Sequence, residues 1–588
     1  MRMDIFNPEV ANGMYERGCS DYVYQEEVLD YLIKYDNNLQ GVIDGLRPEC
    51  ITAINNQFLV AYKKRDSYKV GANVLRGALN YYYSVVPKCY GLLDLSANES
   101  IGALQIETIP GLSLTGEEVL IGFVDTGIAY ESELFLKNGR TRIRAIWDQT
   151  IEAYDSSEEH INTIFGYGRE FQREEIQLAV SEGRFLAGPP DESGHGTGMA
   201  SLAAGNSYET QTTSFRGIAP NADILMVKLK PAKRNLRDYF RIPEDVACYS
   251  EADIMLGVKY LINKAMELGK PIVICLGIGT NQGDHNGNLN LEQYLDTIAT
   301  LRGVCIVTAG GNELGAGGHF SGTVNTDMEI YVEPGESGFC LEIWGNAPNL
   351  YRVQVISPTG ERFDGLPVNE DAAAEYFFLY EGTRLYMQQI VVEQNSGDPL
   401  VFLQFTNPAV GIWKILVQEM RFGYALGFDA WLPMRQFLKG DTRFAQPTTD
   451  VTLCAPGTAN QIIVVAGYNH KDRALYVRSS RGYTRKGRIK PDFVAPAQNV
   501  DTLLARGSTP LLVEKSGTSL AAALTAGAAA LLLEWGFVRG NQQKINTEII
   551  RQLFVRGAKQ VFDLSYPNPS WGYGLLNVLG TFELLRNR

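Results

Sequence analysis

From residue 119 onward, short continuous runs of apolar residues alternate with amphipathic stretches. Such runs are typical of strands in a parallel sheet that is covered on both faces. The pattern therefore predicts an α/β fold with a doubly wound parallel sheet. The candidate strands are residues 119–124, 224–229, 272–276, 304–308 and 462–466.

One of the intervening stretches has a well-marked helical pattern. Apolar side chains recur every three or four residues from Ile254 to Met266, and Gly269 follows as a helix-ending residue. Ser250 and Asp253 have the spacing of a capping box. We therefore expect a helix between about residues 250 and 269 with one apolar face toward the sheet.

The pattern changes between residues 321 and 445. This stretch contains short alternating runs separated by Gly, Pro and Asn turns, which is typical of antiparallel sheets. We expect an inserted antiparallel β-sandwich, or jelly roll. Its candidate strands are residues 328–332, 341–344, 353–356, 390–392, 401–405, 413–417 and 426–432.

The N-terminal residues form a further unit. Helical patterns near 22–35 and 71–82, together with a strand-like run at 57–62, predict a small α+β domain. The predicted organisation has four parts. They are an N-terminal domain at 1–95, the α/β domain at 96–320 and 446–588, and the insertion at 321–445.

The charge balance narrows the range of partners. The formal net charge of -14 argues against nonspecific binding to nucleic acid or to anionic membranes. One basic cluster, at 481–490, carries five Lys or Arg in ten residues. In so acidic a chain, we expect this cluster to be a solvated loop rather than a nucleic-acid site.

The N-terminus has no apolar stretch of the kind found in secretory signal peptides, so we expect cytoplasmic synthesis. The longest apolar stretch, residues 520–533, is shorter than the roughly 20 residues of a membrane-spanning helix. We expect a buried helix there and no membrane span. The eight cysteines form no CxxC pair and suggest free thiols. No metal-type spacing occurs, and we predict no cofactor.

Three short segments, far apart in the chain, contain the residue types of a serine hydrolase. Asp125 follows the first predicted strand, at the carboxyl end where open α/β sheets place their sites. His195 lies between glycines, and a histidine suits a general base. Ser519 opens a helical stretch, where a helix N-terminus favours developing negative charge. In this order the three supply an orienting carboxylate, a base and a nucleophile.

A fourth segment adds a donor for the oxyanion. The predicted strand 304–308 leads to Asn312, whose side chain is placed to donate a hydrogen bond to a tetrahedral intermediate. Each segment alone has an ordinary explanation, such as a turn at Asp125 or a helix N-cap at Ser519. Four of them in this order make coincidence a poor explanation.

These residues resemble the motifs of the subtilisin-like serine proteases (subtilases, peptidase family S8), over roughly residues 95–320 and 446–588. The resemblance implies a subtilisin-like sheet and a serine endopeptidase acting on protein substrates. It also implies that Leu276 and Gly277 bind extended substrate backbone. The matching motifs are Asp125-Thr126-Gly127, His195-Gly196-Thr197, Gly310-Gly311-Asn312, Gly517-Thr518-Ser519 and Trp571-Gly572-Tyr573-Gly574-Leu575-Leu576-Asn577.

More narrowly, the chain resembles the Csp-type germination proteases of spore-forming bacteria. The motifs are Tyr90-Gly91-Leu92-Leu93-Asp94, Arg144-Ala145-Ile146-Trp147-Asp148-Gln149 and Gly166-Tyr167-Gly168-Arg169-Glu170-Phe171. The resemblance implies a self-processing precursor whose prodomain, residues 1–95, can stay bound as an inhibitor. It implies a spore-associated protease that cuts the zymogen of a cortex-lytic enzyme during germination. The expected processing region comprises Asp94, Leu95, Ser96, Ala97 and Asn98.

Two other functions remain open on the sequence alone. Relatives with decayed triads occur in this subgroup, so one alternative is a catalytically silent pseudoprotease that senses or scaffolds germination signals. The other is an intracellular serine protease of broad specificity, because the sequence does not reveal the pocket that sets cleavage preference. The complete triad and Asn312 favour catalysis over the silent alternative.

Overall fold

The computed structural model has a large, mainly parallel sheet at its centre. It describes residues 19–35, 46–64, 82–93, 112–152, 165–188, 190–209, 214–323, 325–421, 427–506, 509–561 and 563–586. All neighbouring strands of the eight-stranded sheet are parallel except the last pair. In spatial order they are Phe493–Gln498, Ile463–Asn469, Val304–Ala309, Ile272–Leu276, Leu120–Asp125, Asp223–Lys228, Ile143–Asp148 and Arg169–Gln172.

The central strands are buried on both faces. On Leu120–Asp125, the side chains of Ile121 and Phe123 belong to one core cluster. Those of Leu120 and Val124 belong to a second cluster. Since successive side chains of a strand point to opposite faces, the two clusters lie on opposite sides of the sheet. This explains the continuous apolar runs, and the predicted α/β fold with a large parallel sheet is confirmed.

Helices cover the two faces of this sheet. Among the described residues, short 3₁₀ turns occur at Glu133–Phe135 and Arg435–Phe437, and a π-helical turn occurs at Glu534–Val538. The α-helices in the described ranges are Ser20–Val23, Tyr82–Val85, Arg173–Glu182, His195–Ala204, Arg234–Phe240, Glu251–Leu268, Asn290–Ala299, Thr518–Leu533, Thr547–Gly557 and Val578–Arg586.

The helix Glu251–Leu268 agrees with the predicted one in its bounds but not in its cap. Gly269, in the left-handed conformation with φ 65, ends it. Ser250 is the N-cap residue, yet its side chain makes no capping hydrogen bond. Asp253 is buried and pairs with the Lys230 ammonium at 2.8 Å. The predicted capping box is therefore wrong, because the carboxylate neutralises a buried charge instead.

The helix Thr518–Leu533, called the serine helix below, is buried along its whole length. Small side chains allow this close packing. A Cβ at Gly527 would lie 2.8 Å from the backbone oxygen of Ala203 on the neighbouring helix. Within the described part of the chain, one segment, Thr518–Val538, has the length and apolar character of a membrane span. Because 83% of its apolar window is buried inside the protein, it is a core helix.

Two antiparallel sheets occupy the stretch from His319 to Phe444, and their facing side chains form one shared core cluster. The six-stranded sheet has the order His319–Gly322, Phe428–Trp431, Gly338–Trp344, Leu400–Thr406, Thr383–Ile390 and Ala372–Phe378. The five-stranded sheet has the order Arg362–Phe363, Leu350–Ile356, Gly411–Arg421, Thr326–Val332 and Arg443–Phe444. That these sheets form a jelly roll stays a prediction.

One predicted run in this stretch is wrong, and several observed strands are missed, among them Ala372–Phe378. The run 390–392 only reaches the last residue of Thr383–Ile390, and the Val392 side chain is 63% exposed. The strand Ala372–Phe378 lies at the edge of its sheet and is only partly buried. An edge strand buries less apolar surface, so its sequence alternates weakly.

The N-terminal unit contains a three-stranded antiparallel sheet. Its spatial order is Val28–Lys34, Phe58–Lys64, Cys50–Ala53. The helical pattern expected at 22–35 is wrong there, because residues 28–34 pair along their whole length as a strand. Pairing with a distant strand has overridden the local pattern. The other expected helix, 71–82, lies almost entirely outside the described residues.

Two cysteines are joined, contrary to the expectation of free thiols. Cys19 and Cys50, with Cα atoms 5.6 Å apart, form a disulfide. They are 31 positions apart in the sequence and belong to no motif, so only the fold of the N-terminal unit brings them together. The free cysteines are all buried and are Cys89, Cys248, Cys275, Cys305, Cys340 and Cys454.

The basic cluster at 481–490 is not a solvated loop. The Arg485 guanidinium, 1% exposed, bonds to the carboxylate of Asp398. The Lys490 ammonium is fully buried and lies 2.8 Å from Asp492, and burial lowers its pKa. The expectation is wrong because these two cations have buried acidic partners, and those partners are set by the fold rather than by local sequence.

Lys233 fastens the N-terminal sheet to the rest of the protein. Its ammonium donates to the Asp30 carboxylate at 2.6 Å and to the backbone oxygen of Tyr22 at 2.9 Å. Burial lowers the pKa of Lys233 and raises that of Asp30. Loss of one partner from such a pair leaves an uncompensated buried charge, so this contact favours a docked N-terminal unit.

Candidate active site

Asp125 lies at the carboxyl end of its strand and is fully buried. Its Oδ1 accepts hydrogen bonds from His195 Nδ1 at 2.6 Å and from the N–H of Thr126 at 2.8 Å. These bonds fix the imidazole tautomer with its proton on Nδ1. Nε2, on the opposite side of the ring, then carries no proton and can accept one.

His195 is the first residue of the helix His195–Ala204. Its N–H donates to Ser193 Oγ at 3.0 Å, which satisfies one donor at this helix end. Close packing requires glycine at position 196, because a Cβ on Gly196 would lie 2.2 Å from the backbone oxygen of Gly127. The histidine motif and the aspartate motif therefore pack directly backbone to backbone.

Ser519 is the second residue of the serine helix, and its Oγ lies 3.3 Å from His195 Nε2. Gly517, with φ 152, turns the chain into this helix. The N–H groups of a first helical turn have no intrahelical acceptor, and they carry the positive end of the dipole. The structure thus brings Asp125, His195 and Ser519 together in the geometry of a catalytic triad.

Asn312 lies beside the nucleophile with its amide oxygen held in place. Thr518 donates both its N–H and its hydroxyl to Asn312 Oδ1, each at 3.1 Å. Since the oxygen is occupied, Nδ2 is the group that can donate to an oxyanion. The N–H of Ser519, in the first turn of the serine helix, has no intrahelical acceptor and is a second candidate donor. Together they can stabilise the charge that develops during serine attack.

The surroundings of His195 raise its pKa. Burial alone lowers it, but the negative charge of Asp125 and the hydrogen bond to that carboxylate oppose burial. A hydrogen bond with the backbone of Leu93 acts in the same direction. The net effect stabilises the protonated ring, which is the state that forms when a base accepts the proton of a serine.

A strand from the N-terminal part of the chain occupies the cleft next to the triad. This cleft strand, Cys89–Leu92, pairs antiparallel with Tyr249–Ser250 on one side and with Ile278–Gly279 on the other. Proteins bind extended peptides by the same addition of a strand. The cleft strand therefore has the conformation and the position of a bound peptide.

Leu93 follows the cleft strand and brings its carbonyl group to the triad. Its N–H donates to the backbone oxygen of Gly277 at 3.0 Å. Its carbonyl oxygen lies 2.5 Å from His195 Nε2 and accepts a hydrogen bond from the Ser519 hydroxyl. Leu93 thus occupies the position of the residue whose carbonyl a nucleophilic serine attacks.

Gly277 passes close to the imidazole ring. A Cβ at this position would lie 2.8 Å from His195 Cε1 and 2.3 Å from Met199 Sδ. Its carbonyl also accepts a hydrogen bond from the Ser519 hydroxyl at 3.1 Å. Leu276 is the last residue of its strand, and its side chain packs in the core. The backbone from Gly277 onward therefore makes the contacts with the cleft strand and Leu93.

Sequence reasoning misses several contributors to this site. The cleft strand belongs to a motif noted for its resemblance, but no local signal assigns it to the cleft. The two-residue strand Tyr249–Ser250 is too short to show periodicity. The expected processing residues, 94–98, lie outside the described part of the chain.

The antiparallel sheets contribute a wall of the cleft through the turn Arg435–Phe437. A Cβ at Gly91 would lie 1.7 Å from Gln436 Nε2 and 3.2 Å from Phe437 Cζ. The missing side chain at Gly91 therefore makes room for the Gln436 amide. This part of the site is also invisible in the sequence, because it depends on packing between distant segments.

The order of the triad along the chain separates serine hydrolases of different folds. Here aspartate comes first and serine last, on a mainly parallel sheet, which is the subtilisin arrangement. Fold and site thus define a subtilisin-type serine hydrolase. The chain belongs to the subtilase family (peptidase family S8), whose model matches residues 116–332 and 440–574.

Relatives agree with this assignment. Subtilisin-like protease SBT3.6 of Arabidopsis thaliana is 26% identical over 464 residues, covering 71% of this chain but 56% of its own length. The C5a peptidase of Streptococcus pyogenes is 21% identical over 461 residues, covering 73% of this chain and 36% of its own. The solved structure of the Clostridium perfringens CspB protease matches with a TM-score of 0.71 and 31% identity, over 84% of this chain and all of that one.

We expect Asn312→Ala to lower kcat about 10²- to 10³-fold with little change in KM, because the amide acts on charge that exists only in the transition state. Hydrolysis of a peptide p-nitroanilide, normalised to titrated active sites after the cleft strand has been removed, measures this. Asn349→Ala removes a buried amide from the antiparallel sheets and is the matched control. A change confined to KM would contradict the oxyanion role.

Proposed function

We propose that this protein is a serine endopeptidase that cleaves its own chain after Leu93 and retains the N-terminal segment in its cleft. The contact of the Leu93 carbonyl with both His195 Nε2 and the Ser519 hydroxyl carries the proposal. Membership of the subtilase family and the similarity to the CspB protease support it.

In the proposed reaction, Ser519 Oγ attacks the carbonyl carbon of a peptide bond while His195 Nε2 takes its proton. Asp125 stabilises the imidazolium, and Asn312 with the Ser519 N–H stabilises the oxyanion. Collapse of the intermediate breaks the C–N bond, and the imidazolium returns the proton to the leaving amine. A water molecule, deprotonated by the same base, then hydrolyses the acyl-enzyme and restores the serine hydroxyl.

The bond we propose for processing joins Leu93 to Asp94. A cut there lies at the N-terminal end of the expected processing region and makes residues 1–93 a prodomain. Lys88, Cys89 and Tyr90 are buried, and the cleft strand has neighbours on both sides, which supports retention after the cut. A retained prodomain inhibits by occupying the place of the substrate.

The physiological substrate that we propose is the zymogen of a cortex-lytic enzyme, cut in the spore during germination. The resemblance to Csp-type proteases and the TM-score of 0.71 with CspB support this. We expect wild-type protein, once gel filtration at high pH has removed the cleaved prodomain, to cut such a zymogen at one site and Ser519→Ala to leave it intact, as followed by mass spectrometry. An uncut zymogen together with cleavage of many unrelated proteins would favour a broad-specificity protease instead.

Self-processing predicts two fragments. We expect the wild-type protein to contain one fragment that ends at Leu93 and another that begins at Asp94, detected by mass and N-terminal sequencing. Ser519→Ala should remain a single chain because it lacks the nucleophile. Once gel filtration at high pH has removed the cleaved prodomain, fluorophosphonate should label the wild type, and it should not label this variant. An intact wild-type chain without labelling would contradict the proposal and favour the silent sensor or scaffold.

Release of the cleaved prodomain should increase with pH. The Leu93 carbonyl helps to raise the pKa of His195, so the protonated ring binds the segment more tightly than the neutral ring. Affinity is therefore highest below the pKa of the ring in the empty cleft, and it falls as the pH rises through the higher pKa in the complex. Gel filtration of processed protein across a pH series measures release. A flat profile would show that ring and segment are not coupled.

A further inference from the structure

A cavity of about 490 Å³ opens beside Leu93. We call it the leaving-group cavity. It is bordered by Leu93, His195 and Asn312, and its lining also includes Arg435 and Arg478. The proposed mechanism uses the residues at the triad end of this cavity but does not use the rest of its lining.

The direction of the chain in the cleft explains what the cavity receives. The cleft strand runs along Ile278–Gly279 toward Ser519, and the Leu93 carbonyl meets the triad. In a peptide bound in this direction, the residues after the attacked carbonyl lie on the far side of the triad. His195, which returns a proton to the leaving amine in the proposed mechanism, borders the cavity. The cavity extends from Leu92 and Leu93 past the triad. We assign its part beyond Leu93 to the residues that follow the scissile bond.

Positive charge dominates the lining. Arg435, Arg478 and Lys515 contribute cations, whereas Glu313 is the one carboxylate among the described lining residues. The Glu313 side chain is buried and accepts the N–H of Arg435 at 3.0 Å. Burial raises the pKa of Glu313, and the charges of Arg478 and Arg435 oppose this effect, so both arginines are attracted to this one carboxylate. Among the described residues, no carboxylate forms a close salt bridge with either guanidinium. An anionic side chain in this cavity gains an attraction that a neutral one does not.

Arg435 comes from a part of the chain, 333–439, that the subtilase family model does not match. It begins the turn Arg435–Phe437, in which Gln436 lies against Gly91 of the cleft strand. Its N–H is bound to Glu313 on the other side. The antiparallel sheets therefore hold this cation at the cleft, and the shared family fold does not supply it.

The chain itself offers an anion for the cavity. Asp94 directly follows Leu93 in the sequence. If the chain is cut after Leu93, the first residue on the C-terminal side of the cleaved bond is therefore acidic. The positive lining of the cavity and the acidic residue in the sequence are independent observations. Both favour a site that binds an acidic side chain directly after the scissile bond.

We propose that the leaving-group cavity selects protein substrates that carry Asp or Glu directly after the scissile bond, with Arg435 and Arg478 as the binding residues. This proposal rests on the proposed function. The chain's own Asp94 is the first substrate residue of this kind, and a protein substrate cut in trans carries an acidic residue at the same place.

The rate of self-processing of the full chain tests the proposal, followed by pulse labelling during cell-free synthesis. Asp94→Asn keeps the size of the side chain but removes its charge, and it should slow the cut about 3- to 30-fold, the effect of one or two partly exposed ion pairs. Asp94→Lys should slow it further because like charges then meet. Glu99→Gln removes an acidic charge from the same stretch and is the matched control, with a change below about 2-fold.

A charge exchange separates recognition from folding. In the Arg435→Glu/Arg478→Glu background, the chain with Asp94→Lys should be processed faster than the chain with the natural aspartate. Arg473→Gln removes an exposed arginine near Arg478 in the sequence but outside the lining, and it should keep the preference for aspartate. A general loss of folding cannot produce such a reversal.

Equal processing rates for the wild type, Asp94→Asn and Asp94→Lys would overturn the proposal. A slowing that persists unchanged in the Arg435→Glu/Arg478→Glu background would also overturn it, because the effect would then not arise in the cavity. Absence of any cut in the wild type, without fluorophosphonate labelling of Ser519, would instead overturn the proposed function. The two failures are therefore distinguishable.

Discussion

The parallel pairing of two central strands determines where every catalytic group can lie. Leu120–Asp125 and Ile272–Leu276 are neighbours in the large sheet and run in the same direction. Both therefore end at the same edge, so Asp125 and the turn that contains Gly277 lie close together. An extended peptide that follows Gly277 then reaches the imidazole that Asp125 orients. A shift in this pairing would move Asp125, which orients His195, away from Gly277, whose backbone binds the peptide.

Buried charge reinforces the occupied cleft upstream of the triad. The Lys88 ammonium donates to the backbone oxygens of Tyr83 at 2.7 Å and Val86 at 2.9 Å, and it lies 4.0 Å from the Tyr83 ring centroid. The backbone N–H of Lys88 donates to the buried carboxylate of Glu251. Burial lowers the pKa of Lys88 and raises that of Glu251. Withdrawal of the segment takes the backbone N–H of Lys88 away from the buried Glu251 carboxylate, whereas cleavage after Leu93 leaves this contact intact.

The sequence correctly predicts those features that are determined by neighbouring residues in the chain. Continuous apolar runs reveal strands buried on both faces, and Asp125 and Ser519 lie in short motifs of distinctive chemistry. The strand Val28–Lys34 has its cause elsewhere, in a partner about 30 residues away, and its local pattern is misleading. The filling of the cleft also depends on distant segments, since Leu93 and Ser519 are 426 positions apart in the sequence. No periodicity can indicate that one part of a chain fills the site built by another.

The antiparallel sheets shape this site because they are fastened to the parallel domain. Arg485, 1% exposed, bonds to Asp398 and donates to the backbone oxygen of Gly345 at 2.8 Å. Where water is excluded, such a pair resists separation, since either charge alone would remain buried without a partner. The wall that these sheets add to the cleft therefore cannot move aside at low cost. In the proposed recognition, the insertion contributes Gln436 beside the cleft strand and Arg435 in the leaving-group cavity, whereas Arg478 comes from the parallel domain. The proposed selectivity therefore depends on how firmly the two parts are joined and not on changes in the triad.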